Sequence, residues 1–182
     1  AVESINKIKR NILYSLSEQQ VVDCDKRNGG CNGGSRPAAF NYIKNKGLTT
    51  EANYPYKATR GTCNVTKESQ TVATINGYKI VPSNSEASLM ILVAQQPVTI
   101  GVDASRTFAG YKKGIFSGPC GTNINHAVVV VGYGEEGSEK YWIVRNSWGP
   151  RWGEGGYIRM KKDIAAPQGL CGLAMRGAYP TL

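Results

Sequence analysis

The second half of the chain constrains the fold most strongly, because its apolar segments have the period and composition of β-strands. These segments contain mostly valine, isoleucine and aromatic residues, and glycine-rich turns at 134–137 and 153–156 separate the later ones. The segments are residues 98–102, 127–133, 141–145 and 156–160. The pattern predicts antiparallel strands joined by short connections.

The first residues of the chain show a helical period instead. Apolar residues at helical spacing predict one continuous apolar stripe along this helix. They are Ala1, Val2, Ile5, Ile8 and Ile12. No residue with a capping side chain precedes this pattern, although the first turn of a helix needs one for its free N–H groups. We therefore expect that residues normally preceding Ala1 are absent from this sequence.

Three further helices are predicted from capping signals. Ser17-Glu18-Gln19-Gln20 is typical of a capping box and begins a helix that carries Val21 and Val22 toward Cys24. Ser35 and Pro37 begin the next helix, which bears Phe40 and Ile43 and which Gly47 ends. The tetrad Ser83-Asn84-Ser85-Glu86 resembles a capping box for a helix through Leu89, Ile91 and Leu92 that Pro97 stops.

Helices therefore precede strands, which is typical of an α+β protein. The change of period places a boundary near residue 80. The sequence predicts a helical lobe over residues 1–79 and an antiparallel β lobe over residues 80–182.

The charge of the chain is strongly positive, with 22 Lys and Arg against 13 Asp and Glu. The basic residues are dispersed, which is typical of a solvated basic surface, with attraction to acidic polysaccharides or membrane surfaces as the alternative. No motif of a nucleic-acid-binding fold is present, so we expect no nucleic acid partner. No stretch approaches the roughly 20 apolar residues of a membrane span, so we expect no membrane insertion.

Five cysteines lie at positions 24, 31, 63, 120 and 171, and no two of them form a C-x-x-C pair. A metal site is not expected, because only one histidine is available to complete a ligand set. A disulfide framework fits better and indicates an oxidising, secretory-type compartment. The odd cysteine needs a partner outside this chain or remains a free thiol. Asn64-Val65-Thr66 is a glycosylation sequon, consistent with the same compartment.

His126 is the only histidine, and a catalytic role for it depends on its partners. In Cys/His catalysis the imidazole must be held in one tautomer, and an amide oxygen does this without adding negative charge. Asn146 supplies an amide at the end of the next predicted strand, and Trp148 supplies an indole that excludes water. These three residue types form a coherent part of a nucleophilic mechanism. Serine hydrolase chemistry is a third alternative that the sequence disfavours, because no G-x-S-x-G sequence exists and the one histidine already has a role.

The glycine-rich loop of residues 28–34 allows positive φ and close approach of another backbone. Two interpretations remain open on these residues alone. The loop could line a peptide-binding groove, or it could be a connecting turn held by Cys31.

Sequence motifs along essentially the whole chain resemble those of the plant papain-like cysteine endopeptidases, close to the bromelain type. The motifs are Ser17–Gln20 with Asp23-Cys24, Gly30–Gly34, Tyr54-Pro55-Tyr56, Gly118–Gly121, Asn125–Val128, Gly132–Gly134, Asn146–Tyr157 and Ala178–Leu182. The resemblance implies a papain-like two-lobed α+β fold. It pairs a helical lobe with an antiparallel, β-barrel-like lobe, and the active-site cleft lies between them.

The resemblance also implies individual roles. His126 would be the general base and acid, Asn146 its orienting partner, Trp148 the shielding ring and Trp152 a residue on the leaving-group side. Disulfides Cys24–Cys63 and Cys120–Cys171 are implied, whereas Cys31 would pair with a cysteine outside this chain.

The sequence departs from the family at the nucleophile. The family's reactive cysteine lies at the start of the long helix, where the helix dipole and the imidazolium lower the pKa of its thiol. The chain begins about two turns into that helix, and each of its five cysteines matches a family half-cystine. We expect an N-terminal segment that carries the nucleophile to be missing from this sequence. The alternative is a catalytically inactive papain-like binding, defence or storage protein.

The resemblance assigns the peptide-binding residues as well. Gly33 and Gly34 would pair with an extended substrate by backbone hydrogen bonds. The other substrate-binding residues would be Arg36, Gly101, Ile124, Asn125, Ala127 and Arg176. Two arginines in this set predict a pocket that disfavours basic side chains, unless both guanidinium groups extend into solvent.

Expected partners are peptide or protein substrates and cystatin-like or epoxide-type inhibitors. No cofactor is implied. We expect a monomer in a secreted or vacuolar location.

Overall fold

A computed structural model describes all 182 residues, and the chain divides into two compact units. The first unit contains residues 1–79 and 180–182, and the second contains residues 80–179. The helices are α1 (Val2–Arg10), α2 (Glu18–Cys24), α3 (Arg36–Lys46), α4 (Val65–Glu68), α5 (Glu86–Val93) and α6 (Arg106–Ala109), with 3-10 turns at Gly30–Asn32 and Leu170–Gly172. The strands are β1 (Gly77–Ile80), β2 (Val98–Val102), β3 (Ile115–Phe116), β4 (His126–Glu136), β5 (Glu139–Arg145), β6 (Tyr157–Lys161) and β7 (Gly177–Thr181).

The helices of the first unit begin and end largely where their capping residues predict. Ser17 caps α2, since its hydroxyl accepts a hydrogen bond from the backbone N–H of Gln20. Gly47 ends α3 with φ 69°, a conformation that glycine adopts without strain. Phe40 and Ile43 of α3 are buried.

The apolar stripe predicted for the first helix is only partly correct. Val2 and Ile5 are buried, but Ile8 is 50% exposed and Ile12 is 45% exposed. The helix ends at Arg10, and Asn11 then adopts the left-handed conformation at φ 57°. The chain therefore leaves the helical path before the stripe can continue.

The most buried side chains of α2 are polar. Val21 and Val22 are only partly buried, whereas Gln19 and Gln20 are completely buried. Both amides are satisfied by hydrogen bonds, Gln20 to Thr49 and Gly47 and Gln19 to Asp23 and Lys57. Buried polar groups are tolerated when every donor and acceptor finds a partner.

A seven-stranded sheet has the order β1-β7-β2-β4-β5-β6-β3. The pairs of β2 with β4, β4 with β5 and β5 with β6 are antiparallel, and β3 pairs with β6 in parallel. The sheet is open, with β1 and β3 at its edges, so the expectation of a barrel-like lobe requires correction. The α+β class itself is confirmed.

The core of the second unit lies against this sheet. Its fully buried side chains come from the sheet strands and from the helix-forming segments that pack on them. Trp142, Phe108, Ile100, Ile158 and Met160 are among the largest. A register shift between Val130 and Gly132 interrupts the pairing of β4 with β5, and such bulges increase the local twist of a strand.

The capping box predicted for α5 is wrong, because the observed capping residue lies two positions after Ser83. Ser85 is the capping residue, and its hydroxyl accepts a hydrogen bond from the N–H of Ser88. Ser83 instead donates to the carbonyl oxygen of Met175. On the helix, Leu89 is buried, whereas Ile91 is 61% exposed.

Two disulfides are present, Cys24–Cys63 in the first unit and Cys120–Cys171 in the second. They join cysteines separated by 39 and 51 residues. Cys31 is a free, exposed cysteine. None of the helices is both long and apolar enough to span a bilayer.

Candidate active site

The sheet brings His126 and Asn146 together. Strand β4 begins at His126, and its antiparallel neighbour β5 ends at Arg145, one residue before Asn146. An antiparallel strand ends at the same edge of the sheet at which its neighbour starts, so the two side chains lie at one edge. The backbone N–H of Asn146 donates to the carbonyl oxygen of Gly156, which anchors the residue beside the start of β6.

The imidazole and the amide form a hydrogen bond. The Nε2 atom of His126 lies 2.8 Å from Oδ1 of Asn146. Oδ1 also accepts from the backbone N–H of Ser147 at 2.7 Å, and a backbone N–H can only donate. This bond identifies the amide atom facing His126 as the oxygen, so Nε2 must carry the proton. In the neutral ring the lone pair is therefore on Nδ1.

An indole covers this hydrogen bond. The ring of Trp148 stacks on His126 with centroids 4.8 Å apart and planes inclined by 27°. Asn146 is only 7% exposed, whereas Trp148 is 42% exposed, so the indole takes the contact with solvent. A hydrogen bond with less access to water is electrostatically stronger. Trp152 packs edge-on against Trp148, and its Nε1 donates to the carbonyl oxygen of Ala109.

Phe108 is a residue of this cluster that sequence reasoning missed. It is completely buried, and its ring contacts those of His126, Trp148 and Trp152 at centroid distances of 6.5, 5.9 and 5.5 Å. It lies on the four-residue helix α6, which has no periodic apolar pattern. The one available signal was Ser105, which caps that helix by accepting from the Phe108 N–H.

The loop between β5 and β6 is held in place by an ion pair. Arg159 donates from Nε and Nη2 to the two carboxylate oxygens of Glu154, both at 2.9 Å. These bonds hold the pKa of Glu154 below its ordinary value, against the opposing effect of burial. Glu154 also accepts from the N–H of Gly114. At Gly153 a side chain is excluded, because a Cβ would lie 2.4 Å from the carbonyl oxygen of Tyr157.

The proposed substrate-binding residues of the second unit lie near one another. Gly101 of β2 pairs with Ala127 of β4, and the Gly101 N–H donates to the carbonyl oxygen of Arg176. The side chain of Asn125 accepts from the N–H of Ala104. Ile124 packs close to Gly172, where an added Cβ would lie 2.7 Å from its Cδ1. Gly101 is buried, whereas Ala127 and Arg176 are exposed.

The glycine pair of the first unit is asymmetric. Gly33 donates to Gly30 and accepts from Gly29, so both of its backbone groups are used within the loop. Gly34 makes no backbone hydrogen bond of this kind. A Cβ at Gly34 would lie 2.2 Å from Oδ1 of Asn28, so any side chain at this position requires the Asn28 side chain to move. Arg36, at the start of α3, is half-buried.

The two disulfides leave only one cysteine of the chain as a free thiol. Cys24, Cys63, Cys120 and Cys171 are oxidised in pairs and have no thiol. One group with metal-ligand spacing contains Cys24, Cys63 and Glu68, but its two sulfurs are joined to each other. Cys31 therefore carries the one thiol of the chain.

A histidine hydrogen-bonded to an asparagine beneath a tryptophan ring thus lies at one edge of the sheet. The family model described as papain family cysteine protease matches residues 1–181, and the chain belongs to this family.

Individual relatives are plant proteases. The chain is 54% identical over 183 residues to the KDEL-tailed cysteine endopeptidase CEP2 of Arabidopsis thaliana, covering 99% of this chain and 51% of that protein. It is 53% identical over 184 residues to vignain of Ricinus communis, with 99% and 51% covered. The chain thus spans about half the length of these curated relatives.

Solved structures confirm the fold. The bromelain protease from Ananas comosus, in complex with the E64 inhibitor, is 54% identical, with a TM-score of 0.95 and coverage of 100% of this chain and 84% of that chain. The Carica candamarcensis cysteine protease CMS1MS2, in complex with E-64, is 44% identical with a TM-score of 0.94, and coverage is again 100% and 84%.

Proposed function

We propose that this chain is the histidine-bearing part of a cysteine endopeptidase that hydrolyses peptide bonds by acyl transfer. The observation that carries the proposal is the 2.8 Å bond from His126 Nε2 to Asn146 Oδ1 beneath the stacked Trp148 ring. This arrangement leaves Nδ1 as the one basic nitrogen of the imidazole, as a general base requires. Family membership supports the reaction class.

The attacking thiol in this proposal comes from a cysteine outside the 182 residues, because four of the five cysteines are disulfide-bonded and the fifth, Cys31, matches a half-cystine of the family. His126 takes the thiol proton at Nδ1, and the thiolate attacks the scissile carbonyl carbon. The imidazolium then protonates the leaving amine as the C–N bond breaks, which leaves a thioester. In the second half His126 deprotonates a water molecule, whose oxygen attacks the thioester, and the proton returns to the departing thiolate sulfur.

Asn146 and the tryptophans serve this cycle by positioning. The Asn146 oxygen accepts the Nε2 proton throughout, so the ring keeps Nδ1 available for each proton transfer. Trp148 limits the access of water to that bond, and Trp152 is assigned to the leaving-group side. No metal or cofactor takes part in these steps.

Substrate recognition is assigned to the glycine loop and to the residues around Gly101. Gly34 is the better candidate for backbone pairing with an extended peptide, because the backbone groups of Gly33 are already used. We further propose that Arg36 and Arg176 disfavour basic substrate side chains. Cleavage of a peptide library tests this, and a strong preference for Arg or Lys two residues before the scissile bond contradicts it.

The location and partners belong to the same proposal. Two disulfides favour an oxidising compartment of the secretory pathway, either secreted or vacuolar. The sequon at Asn64 is accessible, since Asn64 is exposed at the start of α4. Bromelain and the Carica protease were solved with E-64, which supports binding of epoxide inhibitors here. We also propose that cystatin-like inhibitors bind this protein and that it is a monomer.

An intact mass of the natural protein, combined with E-64 labelling, tests the function. We expect a deglycosylated mass above 19.7 kDa and one covalent adduct on a cysteine outside the 182 residues. A His126→Gln variant should lose most of the labelling rate, whereas the exposed Asn76→Ala variant should keep it. An adduct on Cys31, or no adduct at all, contradicts the proposal and favours a catalytically inactive binding protein.

A further inference from the structure

A pocket of about 690 Å³ lies within the first unit, separate from His126 and its partners. Three segments form its walls: the end of α2 with the turn that follows, one face of α3, and the loop from Arg60 into α4. The Cys24–Cys63 disulfide forms part of the lining and holds the first and third segments together. The volume lies within the range of about 300–1,000 Å³ that is typical of small-ligand sites.

Four cations line this pocket, and none of them is neutralised within the chain. They are Lys26, Arg27, Lys46 and Arg60. All four side chains are exposed, and none forms an ion pair, since every ion pair of the chain involves residues between 136 and 163. The stem of Arg60 packs on Gly30, where an added Cβ would lie 2.6 Å from its Cδ.

Three carboxylates also line the pocket, but each accepts hydrogen bonds from other groups of the protein. Asp23 accepts from Gln19, Tyr54 and Gly61 and is 7% exposed. Hydrogen bonds from Arg27 N–H and the Asn28 amide engage both oxygens of Asp25, which is 1% exposed.

The third carboxylate, Glu68, accepts from the hydroxyl of Tyr42. Asp23 and Asp25 are buried, whereas Glu68 is only partly buried, so the accessible charges of the pocket are mainly the four exposed cations.

Neutral hydrogen-bonding groups complete the lining. The side chains of Asn41, Asn45 and Thr62 line the pocket and make no hydrogen bond within the chain. Amides and hydroxyls pair with the hydroxyl groups of sugars as donors and as acceptors. The exposed Val65 and the disulfide add apolar surface against which the C–H faces of a sugar ring can pack.

We propose that this pocket binds an acidic oligosaccharide, with carboxylates of uronic acid units on the cations and sugar hydroxyls on the free amides. An acidic peptide is the rival occupant, because clusters of basic side chains also recognise acidic motifs, but the amides and the hydroxyl of the lining favour a ligand rich in hydroxyl groups. The inference is independent of the proposed peptidase function, since binding requires neither His126 nor a nucleophile.

Calorimetric titration with a tetramer of galacturonic acid tests the proposal on the full-length, deglycosylated protein. Removal of the Asn64 glycan keeps the pocket accessible, because Asn64 directly precedes Val65. We expect saturable binding that weakens as the salt concentration rises, because salt screens the attraction between exposed charges. The Lys46→Gln and Arg60→Gln variants should each weaken binding about two- to fivefold, and the double variant roughly tenfold.

Matched controls separate this site from attraction to a protein of net charge +9. The Lys112→Gln, Lys113→Gln double variant removes the same charge from exposed residues of the second unit and should leave the affinity unchanged. Circular dichroism checks that each variant is folded. The fully methyl-esterified tetramer, which is neutral, should bind at least tenfold more weakly.

Several outcomes would overturn the proposal. These are no saturable binding, equal loss of affinity in the two double variants, equal affinity for the neutral ester, or tighter binding of a tetra-aspartate peptide. None of them bears on peptidase activity, and loss of peptidase activity would not remove the binding. The two proposals can therefore fail separately.

Discussion

At the scale of single residues, the hydrogen bond from Ser147 N–H to Asn146 Oδ1 decides the chemistry of the site. With the amide reversed, its Nδ2 would face a backbone N–H, and two donors would oppose each other. Instead Oδ1 accepts from both Ser147 and His126, while Nδ2 is buried without a partner. One backbone donor thus sets the tautomer of the one histidine in the chain.

Replacing Asn146 tests this positioning role. In the full-length protein we expect Asn146→Ala to lower kcat/KM by about 10- to 150-fold, because a hydrogen bond to a charged group contributes roughly 1.5–3 kcal/mol. Peptide hydrolysis over a range of pH measures it. Asn76→Ala, which alters an exposed amide, should have wild-type kinetics. A change in KM alone would contradict an effect on proton transfer.

Phe108 provides a second test at this scale, with stability as the readout. Phe108→Ala removes a completely buried ring from between the two tryptophans and His126, and we expect the free energy of unfolding to fall by about 3–5 kcal/mol. Urea denaturation measures the change. Tyr56→Ala, at a ring that is 58% exposed, should change it by less than about 0.5 kcal/mol. Similar values for both variants would mean that the aromatic cluster adds little.

At the scale of secondary-structure elements, the ends of helices depend on contacts that the sequence pattern does not specify. Two serines precede α5, and the pattern of a capping box favours the first of them. The structure uses the second, because the Ser83 hydroxyl bonds to the distant Met175 carbonyl and leaves Ser85 to cap the helix. A contact across 92 residues thus decides between two local alternatives.

The two serines can be compared directly. Ser85→Ala should lower the free energy of unfolding by about 0.5–2 kcal/mol, because the N–H of Ser88 loses its acceptor. Ser83→Ala should have a smaller effect, since its hydrogen bond is exposed. Thermal or urea unfolding of the pair measures the difference. If Ser83→Ala proved the more harmful, the capping assignment would be wrong.

At the scale of the whole molecule, buried polar networks link stability to pH. Burial by itself favours the neutral acid of Asp23, but hydrogen bonds from Gly61, Tyr54 and Gln19 outweigh it and hold the pKa of Asp23 below its ordinary value. The unfolded chain therefore takes up a proton at a higher pH than the folded chain. This contribution is present above the pKa of the unfolded state and is lost as pH falls through that of the folded state.

Asp23→Asn tests the linkage. The variant should be less stable at neutral pH. Its free energy of unfolding should fall less steeply between the unfolded-state and folded-state pKa values of Asp23, and the difference in slope should correspond to at most about one bound proton. Unfolding free energies measured from neutral pH into the acid range give that slope. The exposed Glu135→Gln variant should keep the wild-type slope. An unchanged acid slope in Asp23→Asn would contradict the assignment.

Much of the fold and the pairing of His126 with Asn146 could be predicted from the sequence because the signals are local. The strand period, the caps at Ser17 and Gly47 and the motifs around His126 and Asn146 depend on neighbouring residues. The short elements α4, α6, β1, β3 and β7 were missed, since two to five residues carry too little periodicity. Their position depends on packing and pairing with distant segments.

The sequence by itself determined the α+β class, the family resemblance and the identity of the histidine and amide, because these follow from residue types and spacing along the chain. Only the tertiary structure decided that the sheet is open, that Phe108 packs beneath His126 and that Gly33 has used its backbone groups. It also placed four cations from separate segments around one pocket. These features arise from contacts between residues far apart in the chain, and the free energy of such contacts is not encoded in local sequence patterns.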